Sequence, residues 1–592
     1  MTFSAQTRRT TIAQLKTTHL DLLIIGGGIT GAGAALQSIA SGINTGLVEM
    51  GDFGSGTSSR STKLVHGGIR YLKTFDVKVV SDTVQERARV ANIAPHIPHP
   101  APMLMPIYQE PGATFDLFAA ELAMDLYDRL ANLQQSQYAH YMLDRAATLA
   151  RVPNLAEDHL VGSGVYLDYV NNDARLVIEN IKEAAELGAL IASHLEVVAL
   201  VHDERGKAIG VKVHDHLSGE VFTIHAKMLL NTTGPWADRL RPAEDQPLLR
   251  PTKGVHLVVD DSVLFVPQPL YFDSGLQDGR MIFVIPKAGK TYFGTTDTDY
   301  HGDLAHPTVT AEDVDYLLHV INTRFLQAQV SLADIEASWA GLRPLLAPPT
   351  PATAMDLDPL VEIVKRIEQG QATRKQVEAV VSSLAQKQAS PSTVSRGYEV
   401  LTDTDGMLTI AGGKLTDYRK MAESAITEIR ERLLVEFGVH TSQIDSTRLQ
   451  VSGGHFDPST VLDSLDYFAR LAEDAGITRT QAHQLAQRFG SNIGRVLRYA
   501  QDGAAPGLSL GETVSLRYSV QEEMALTPVD YLLRRTNAIL FHADTIDDLA
   551  GPVVAEMARL LDWDDLETEA QLQRLLSAIH ESALTALKRD HQ

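Results

Sequence analysis

The sequence predicts an α/β protein with three kinds of region: a domain on a parallel sheet, a domain on an antiparallel sheet, and an all-helical region at the C-terminus. Three observations support this fold class. Residues 21–50 follow a β-α-β pattern, residues 251–300 are rich in strands of antiparallel type, and nearly all of the chain after residue 457 has helical periodicity. Because the chain has 592 residues, two or three domains are expected.

The β-α-β pattern consists of an apolar strand at 22–25, a glycine turn, a helix, and a second strand that ends near Glu49. The turn carries Gly26, Gly28 and Gly31 in the spacing G-x-G-x-x-G. The first glycine makes the tight turn, the second lets the backbone approach a pyrophosphate, and the third lets the helix pack close to the strand. The helix N-terminus faces the phosphates, and Glu49 accepts hydrogen bonds from a ribose. This pattern predicts a dinucleotide site, and a purely structural turn is the alternative.

Periodicity predicts the elements that follow. Helical patterns recur at three places: 83–92, 114–132 and 173–190. Prolines make the interval 95–106 extended or loop-like. Strand patterns occupy three stretches: 189–201, 205–230 and 251–300. After residue 345, a proline-rich linker leads into two amphipathic stripes, which predict a helical insert docked on the body of the protein.

Composition narrows the classes of function. The formal net charge of −22 argues against a nucleic-acid partner. The chain has no cysteine, which excludes disulfides, thiolate metal sites, iron–sulfur clusters, cysteine nucleophiles and a flavin attached through cysteine. The first twenty residues lack the apolar core of a signal peptide, and the apolar stretches are interrupted by glycines and polar residues. The expectation is a cytoplasmic protein without a transmembrane segment.

Two further turns favour FAD over NAD as the bound dinucleotide. Gly234 lies in a turn at the end of a buried strand, where the chain is expected to return to the dinucleotide. Gly412 and Gly413 precede a helix whose N-terminus could face the isoalloxazine end of a flavin. A flavin-linked pyridine nucleotide reductase would carry a second nicotinamide fingerprint, and the sequence has none.

These motifs together resemble the FAD-dependent glycerol-3-phosphate dehydrogenase/oxidase family. The resemblance covers most of residues 20–540 and rests on GGGITGAG, Glu49, TSSRSTKLVHGGIRYL, NNDARLV, NTTGPWAD, KGVHLVV, IFVIP, FGTTDTDY, GLRPL, AGGKLTDYRKMAE and EEMALTPVDYLLRRT. It implies a Rossmann-like FAD-binding domain, an antiparallel-sheet substrate (cap) domain and a C-terminal all-helical domain. The expected boundaries are 20–80, 150–250 and 395–435 for the discontinuous FAD-binding domain, 81–149 and 251–345 for the cap domain, 346–394 for the helical insert and 450–592 for the helical domain.

The family has two kinds of member, which differ in their electron acceptor. Soluble α-glycerophosphate oxidases pass electrons to O2 and make H2O2, whereas quinone-linked dehydrogenases sit on membrane surfaces. The insert at 346–394 resembles the extra segment of the oxidases, so the oxidase is the favoured interpretation and the dehydrogenase the alternative. A non-catalytic FAD-binding regulator is a third hypothesis, against which the intact set of site residues argues. The sequence leaves the oligomeric state open, including a homo-oligomer.

The resemblance implies oxidation of sn-glycerol 3-phosphate at C2 to dihydroxyacetone phosphate, with the hydride going to flavin N5. Such chemistry needs a base with a pKa near neutral, and cations for the developing oxyanion and the phosphate. Histidine suits the base, and His256 is favoured over His66, although both lie in family active-site motifs. The alternative for each is a core histidine bonded to a backbone carbonyl. Arg343 is the candidate for clamping the substrate, because its planar fork matches phosphate and alkoxide.

The resemblance also carries over binding residues. Those expected to contact the substrate are Arg70, Tyr71, Lys414, Thr296 and Arg396. For Arg396, a surface ion pair is an equal alternative. Those expected to line the FAD are Gly26, Gly28, Ile29, Thr30, Gly31, Glu49, Met50, Ser58, Ser59, Ser61, Lys63, Leu64, Val65, Val197, Gly234, Gly412, Gly413, Lys414, Leu415 and Thr416. Within residues 58–72, the Ser/Lys half is thus expected to face the FAD, and the His-Gly-Gly-Ile-Arg-Tyr half the phosphorylated polyol.

Two motifs raise the question of a metal. His214 and His216 put two imidazoles on one face of a strand, but the sequence shows no third ligand and a Ser-Gly turn follows. A solvated hairpin tip is therefore the favoured interpretation. Residues 296–303 share some spacing with a calcium loop but lack its spaced glutamate. No metal is expected.

Overall fold

A computed structural model describes residues 3–69, 77–111, 113–243, 245–347 and 397–590. Arg70, Tyr71, Arg396 and both amphipathic stripes of the expected insert lie outside these described residues. Within them, the chain folds into two large sheets with helices around them and a helical C-terminal region. The predicted fold class is confirmed.

The elements of the described residues are numbered along the chain. The strands are β1 (Leu20–Ile25), β2 (Thr45–Val48), β3 (Leu64–Val65), β4 (His99–Tyr108), β5 (Tyr141–Asp144), β6 (Leu160–Val170), β7 (Leu190–Ala192), β8 (Leu195–His202), β9 (Ala208–Asp215), β10 (Val221–Asn231), β11 (Leu249–Asp260), β12 (Leu270–Asp273), β13 (Met281–Lys287), β14 (Lys290–Gly294), β15 (Thr298–Asp299), β16 (Ala337–Leu346), β17 (Tyr398–Thr402) and β18 (Leu408–Gly412). The helices are α1 (Arg8–Thr17), α2 (Ile29–Ala40), α3 (Val77–Ile93), α4 (Leu117–Ala131), α5 (Arg145–Arg151), α6 (Asp173–Glu186), α7 (Ala237–Leu240), α8 (Ala311–Arg324), α9 (Tyr418–Phe437), α10 (Val461–Asp474), α11 (Arg479–Phe489), α12 (Ile493–Val496), α13 (Leu510–Glu522), α14 (Ala538–Phe541), α15 (Ile546–Leu561), α16 (Asp565–Ser582) and α17 (Thr585–Asp590).

The predicted β-α-β unit is confirmed as β1, α2 and β2, at the centre of the first sheet. The strand order is β17-β18-β10-β1-β2-β7, and β1 pairs in parallel with both β10 and β2. From Leu22 to Ile25, β1 is apolar and buried because both of its faces are covered. Leu22 and Ile24 pack among α2, α6 and α9, whereas Leu23 and Ile25 pack on the side of α1 and β9.

The stretch 189–201 forms strand structure, as predicted, but as two strands that do not pair with each other. β7 extends the parallel sheet beside β2, whereas β8 pairs with β9, which in turn pairs antiparallel with β10. The proline-rich interval 95–106 contributes to a regular strand, β4, that runs antiparallel to β6. These pairings involve distant segments, which local periodicity does not specify.

The second sheet is predominantly antiparallel, in the order β15-β11-β14-β13-β12-β4-β6-β3, with β16 also paired to β11. The register of β11 against β16 sets His256 opposite Trp339 and Thr252 opposite Arg343. Two of the expected catalytic residues therefore lie on neighbouring strands of one rigid sheet.

The C-terminal helices dock onto the loop after β2 through buried ion pairs. The Asp52 carboxylate, only 2% exposed, accepts hydrogen bonds from Arg535 Nη1 and Nη2 at 2.6 and 2.9 Å. Arg534 binds the same carboxylate. Nearby, Glu523 of the helical region pairs with Arg175 of α6 at 2.8 Å. Because buried charges are tolerated only when paired, these contacts hold the two regions in one arrangement.

Candidate active site

A cleft with a cavity volume of about 420 Å³ is lined by residues of both sheets. It begins at the carboxyl ends of β1 and β2, where Gly26 and Glu49 lie, and includes His256 of β11 and Arg343 of β16. The carboxyl ends of parallel strands are the usual binding edge of an open α/β sheet.

The β1–α2 turn brings bare backbone to this cleft. Gly26 has a φ of +107°, a conformation that favours glycine. A Cβ on Gly31 would lie 1.9 Å from the carbonyl oxygen of Gly26, so only glycine allows the helix to start here. The hydroxyl of Ser58 accepts a hydrogen bond from the N–H of Ile29 at 2.9 Å. The N-terminus of α2 thus opens onto the cleft beside the hydroxyl of Ser58.

Glu49 lies in the cleft wall beside Met50 and Val197. Its carboxylate accepts hydrogen bonds from the N–H groups of Gly27, at 2.6 Å, and Gly51, at 2.8 Å. Burial raises the pKa of Glu49, and these two N–H groups act in the opposite direction. The residue therefore braces the glycine turn and also borders the space where an adenosine is expected.

The segment 57–66 connects the glycine turn with the histidine end of the cleft. Ser58 contacts the start of α2, and four residues later the hydroxyl of Thr62 lies 3.0 Å from Nε2 of His256. At the end of the segment, the backbone N–H of His66 donates to the hydroxyl of Thr416, which itself donates to the His66 carbonyl. One short stretch therefore touches both ends of the site.

His256 is a buried imidazole, 2% exposed, in the cleft wall. Its ring stacks on Trp339, with centroids 4.8 Å apart and an angle of 11°. Among the described residues, Nδ1 has no hydrogen-bond partner. Burial, and then the positive charges of Arg343 and Lys63, hold the pKa of His256 well below its usual range. The ring is therefore neutral and able to accept a proton.

Arg343 reaches the cleft from β16 with its guanidinium fixed. Nη1 lies 3.1 Å from a carboxylate oxygen of Asp297, and Nη2 donates to the hydroxyl of Thr295 at 3.1 Å. The side chain is 33% exposed, so it remains accessible from the cleft. Arg280 donates to the backbone carbonyl of Asp297 at 2.7 Å and also lines the cleft. Asp297 thus binds the guanidinium groups of both Arg343 and Arg280.

His66 and Lys414 complete this end of the cleft. Burial lowers the pKa of His66 to about 4; Asp168 opposes this shift, and Lys414 and Arg87 add to it. Burial likewise raises the pKa of Asp417 to about 6, and Lys414 opposes that rise. The ammonium of Lys414 thus acts on both groups, and it follows directly on the Gly412–Gly413 turn after β18.

Most of the expected residues line one continuous cleft. They include the three expected catalytic residues and Gly26, Gly28, Ile29, Thr30, Glu49, Met50, Ser58, Ser61, Leu64, Val197, Gly234, Gly412, Gly413, Lys414, Leu415 and Thr416. Outside the lining are Gly31, Ser59, Lys63, Val65 and Thr296.

Lys63 and Thr296 support the cleft from behind. The wholly buried ammonium of Lys63 donates to Asp173 at 2.9 Å and to the carbonyl of Ser59 at 3.0 Å, so it faces Asp173 and not a phosphate. The hydroxyl of Thr296 accepts from the N–H of Val255 at 3.1 Å, and its carbonyl accepts from Arg343. The ammonium of Lys63 and the hydroxyl of Thr296, which the motifs suggested would bind FAD and substrate, thus bind other groups of the protein instead.

The cleft also has walls that the sequence analysis missed. Arg280 lies just before β13, and Thr62 lies within the 58–72 motif. Their positions next to motif residues are the sequence feature from which their place in the cleft could have been predicted. Phe283 packs edge-on against His66, with centroids 5.7 Å apart, and stacks on Tyr271 at 4.1 Å. Three of the expected substrate residues, Arg70, Tyr71 and Arg396, lie outside the described residues.

The lining fits FAD in its chemistry. The glycine turn supplies backbone N–H groups and a helix N-terminus for a pyrophosphate. The turn packs tightly against the backbone just after β10, because a Cβ at Gly26 would lie only 2.8 Å from the carbonyl oxygen of Thr232. Glu49 supplies acceptors for a ribose. The apolar side chains of Leu64 and Leu415, both in the lining, provide surface for a flavin ring.

Comparison with known proteins bears out this assignment. Residues 21–368 match the FAD dependent oxidoreductase family, and residues 444–568 match the C-terminal domain of alpha-glycerophosphate oxidase. The chain belongs to the α-glycerophosphate oxidase family of FAD-dependent oxidoreductases. The family predicted from the sequence, and FAD as its cofactor, are thereby confirmed.

Its relatives in this family are similar over their full lengths. The chain is 54% identical to the alpha-glycerophosphate oxidase of Enterococcus casseliflavus, over 99% of both chains. It is 50% identical to that of Streptococcus pneumoniae serotype 4, over 99% of this chain and 100% of the relative. Among solved structures, the glycerol-3-phosphate dehydrogenase from Bacillus halodurans complexed with FAD has a TM-score of 0.78 at 35% identity, covering 98% of each chain.

The identities favour the oxidase branch, as predicted from the sequence, because these relatives at 54% and 50% identity are oxidases. None of the helices in the described part of the chain is long and apolar enough to cross a membrane.

Proposed function

We propose that the chain oxidises sn-glycerol 3-phosphate to dihydroxyacetone phosphate and transfers the electrons to O2, yielding H2O2. The observation that carries this function is the meeting of His66, His256, Arg343 and Lys414, from four distant parts of the chain, at one end of an FAD cleft. Neutral imidazoles for a proton and cations for an anionic substrate are what oxidation of a phosphorylated secondary alcohol requires. In a chain of net charge −22, this concentration of cations favours a small dianion.

His256 takes the proton of the C2 hydroxyl. Its pKa is lowered first by burial and then by Arg343 and Lys63, so the imidazole is neutral and can act as a base. The negative charge of a bound substrate beside Arg343 offsets part of the effect of that guanidinium and raises the pKa of His256 while the substrate is present. The same residue is therefore free of a proton before binding and a stronger base afterwards.

Arg343 stabilises the negative charge that develops on the C2 oxygen. Asp297 and Thr295 hold its guanidinium plane, which removes the entropy cost of ordering a long side chain on binding. Lys414 and Arg280 neutralise the phosphate. The arrangement assigns planar recognition to the arginine and a point charge to the lysine, consistent with their different geometries.

The chemistry that bound FAD supplies is acceptance of the C2 hydride and return of both electrons to O2. The C2–H and O–H bonds of the substrate break, the carbonyl forms at C2, and two electrons and two protons end in H2O2. The residues Gly26, Gly28, Thr30 and Glu49 hold the dinucleotide, and Thr416 fixes the backbone of His66 beside it.

The decisive experiment follows the flavin colour in two steps. Glycerol 3-phosphate added without oxygen is expected to bleach the flavin absorbance, and subsequent mixing with O2 to restore it rapidly with one H2O2 per flavin. Slow reoxidation without stoichiometric peroxide would refute the oxidase and favour the quinone-linked dehydrogenase. A flavin that the substrate does not bleach would refute both enzymes and favour the non-catalytic FAD-binding protein.

We also propose a cytoplasmic location. The complete absence of cysteine is compatible with a reducing compartment, and the acidic charge does not favour adsorption to anionic lipid. Fractionation of the source cells is expected to leave the oxidase activity in the supernatant after high-speed centrifugation, and activity that sediments with membranes would contradict this location.

A further inference from the structure

Glu196, His214 and His216 form a cluster on the β8–β9 hairpin, away from the proposed catalytic residues. Their side-chain ligand atoms all lie within 4.8 Å of one another. Oε2 of Glu196 is 3.1 Å from Nε2 of His216, and the two imidazole rings meet edge to face with centroids 4.8 Å apart. The sequence alone argued against a metal here because it showed only two ligands, and the fold supplies the third from the neighbouring strand.

The backbone holds these three residues in place. Glu196 lies directly opposite His214 in the antiparallel register of β8 and β9. The N–H of His216 donates to the carbonyl of His194 at 3.0 Å. Between the two histidines, Asp215 points to the opposite face, where Arg8 binds its carboxylate at 2.7 Å. A buried ion pair on one face therefore anchors the imidazoles on the other.

The chemistry of the cluster suits a transition metal. Imidazole nitrogen and carboxylate oxygen are ligands for Zn²⁺, Co²⁺, Ni²⁺ and Cu²⁺, and a site with three protein ligands leaves a position for water. Bonds of about 2.1 Å in a tetrahedral site place ligand atoms roughly 3.4 Å apart. The side chains of Glu196 and His216 are 45% and 41% exposed, so small rotations can bring them to that spacing and ions can reach them.

We propose that Glu196, His214 and His216 bind one divalent transition-metal ion of the zinc class. Glu196 and its neighbour Val197 also line the FAD cleft, on the side of Glu49 and Met50. The bound ion therefore cross-links β8 and β9 at the rim of the cofactor site. By linkage it stabilises the folded chain wherever its free concentration exceeds its Kd.

The test is calorimetric titration of chelator-treated, FAD-loaded protein with ZnCl2. One equivalent is expected to bind with a Kd of the order of micromolar. Each of His214→Ala, His216→Ala and Glu196→Gln is expected to weaken binding by at least about tenfold, as loss of a partner of a metal ligand already does. His202→Ala is the matched control. His202 lies on β8, the strand of Glu196, and has one carboxylate partner, Asp405, at 3.2 Å. This variant is expected to bind zinc like the parent.

Two results would overturn the proposal: no saturable zinc binding up to about 1 mM, or equal binding in the parent and in the three ligand variants. Electron paramagnetic resonance of the Cu²⁺-loaded parent provides a check that needs no variant. Coupling to two imidazole nitrogens is expected, and a spectrum with fewer would also refute the site.

Discussion

Replacing Arg343 with alanine is expected to reduce catalysis strongly with little effect on folding. The guanidinium is 33% exposed and bonds to Asp297 and Thr295 at the surface of the cleft. Partly exposed ion pairs of this kind contribute about 0–1 kcal/mol to stability. The loss of a fixed donor at a developing oxyanion costs about 3–4 kcal/mol in the transition state. At about 1.4 kcal/mol per factor of ten, this is a loss of roughly 10²–10³ in kcat.

The assay combines steady-state peroxide formation with the absorbance of the bound flavin. Arg343→Ala is expected to purify yellow, with FAD in normal amount, and to lose at least about a hundredfold in kcat/KM. Arg343→Lys keeps the charge but loses the planar fork, so its kcat/KM is expected to lie between those of the parent and Arg343→Ala. Arg250→Ala serves as a matched control, because Arg250 lies on the adjoining strand and forms a bidentate pair with Asp299 outside the cleft lining. Near-normal turnover of Arg343→Ala, or a colourless protein, would refute the assignment of Arg343 to the substrate.

Three further changes test other parts of the structure. Gly31→Ala puts a methyl group 1.9 Å from a backbone oxygen of its own turn and is expected to yield protein without FAD. Gly494→Ala is the control, because its methyl group would point into open space, and it is expected to stay yellow. Retention of FAD by both variants would contradict the account of the turn. Asp52→Ala leaves the wholly buried Arg535 without its strongest partner and is expected to cost about 3–5 kcal/mol, so an unchanged melting temperature would count against the docking contact. Because burial holds the pKa of His66 at about 4, below the ordinary 6.5, the unfolded chain binds the extra proton between these values and the unfolding free energy falls as pH falls through that window. Thermal melts of His66→Gln are expected to show a smaller loss between about pH 7.5 and about pH 5 than the parent, and parallel losses would contradict the shift.

The ion pairs at Asp52 give the C-terminal helices a role in the cofactor site. Asp52 stands three residues after Glu49, in the loop that leaves the cleft wall. The helices thereby restrain the loop that carries the expected ribose ligand. Release of FAD is therefore expected to accompany loosening of the helical region, which the melting experiment can follow through flavin fluorescence.

The features that depend on near neighbours in the chain could be predicted from the sequence. The spacing of Gly26, Gly28 and Gly31 after an apolar strand predicts the turn, and Glu49 at the end of the next strand completes it. Such features follow from local sterics and from the β-α-β connection, which the chain makes in only one hand. The resemblance to a known family then indicated His66, His256, Arg343 and Lys414 without showing how they meet.

Which side chains face the cleft, and which face one another, depends on how distant parts of the chain pack together. Lys63 looked like a phosphate ligand, but it pairs with Asp173, which is 110 residues further along. Arg280, just before β13, joins Arg343 of β16 because both guanidiniums bind Asp297 in the loop between β14 and β15. Glu196 becomes the third partner of two histidines through strand register alone. Contacts between distant segments depend on sheet pairing and burial, and these are properties of the whole fold that local patterns do not contain.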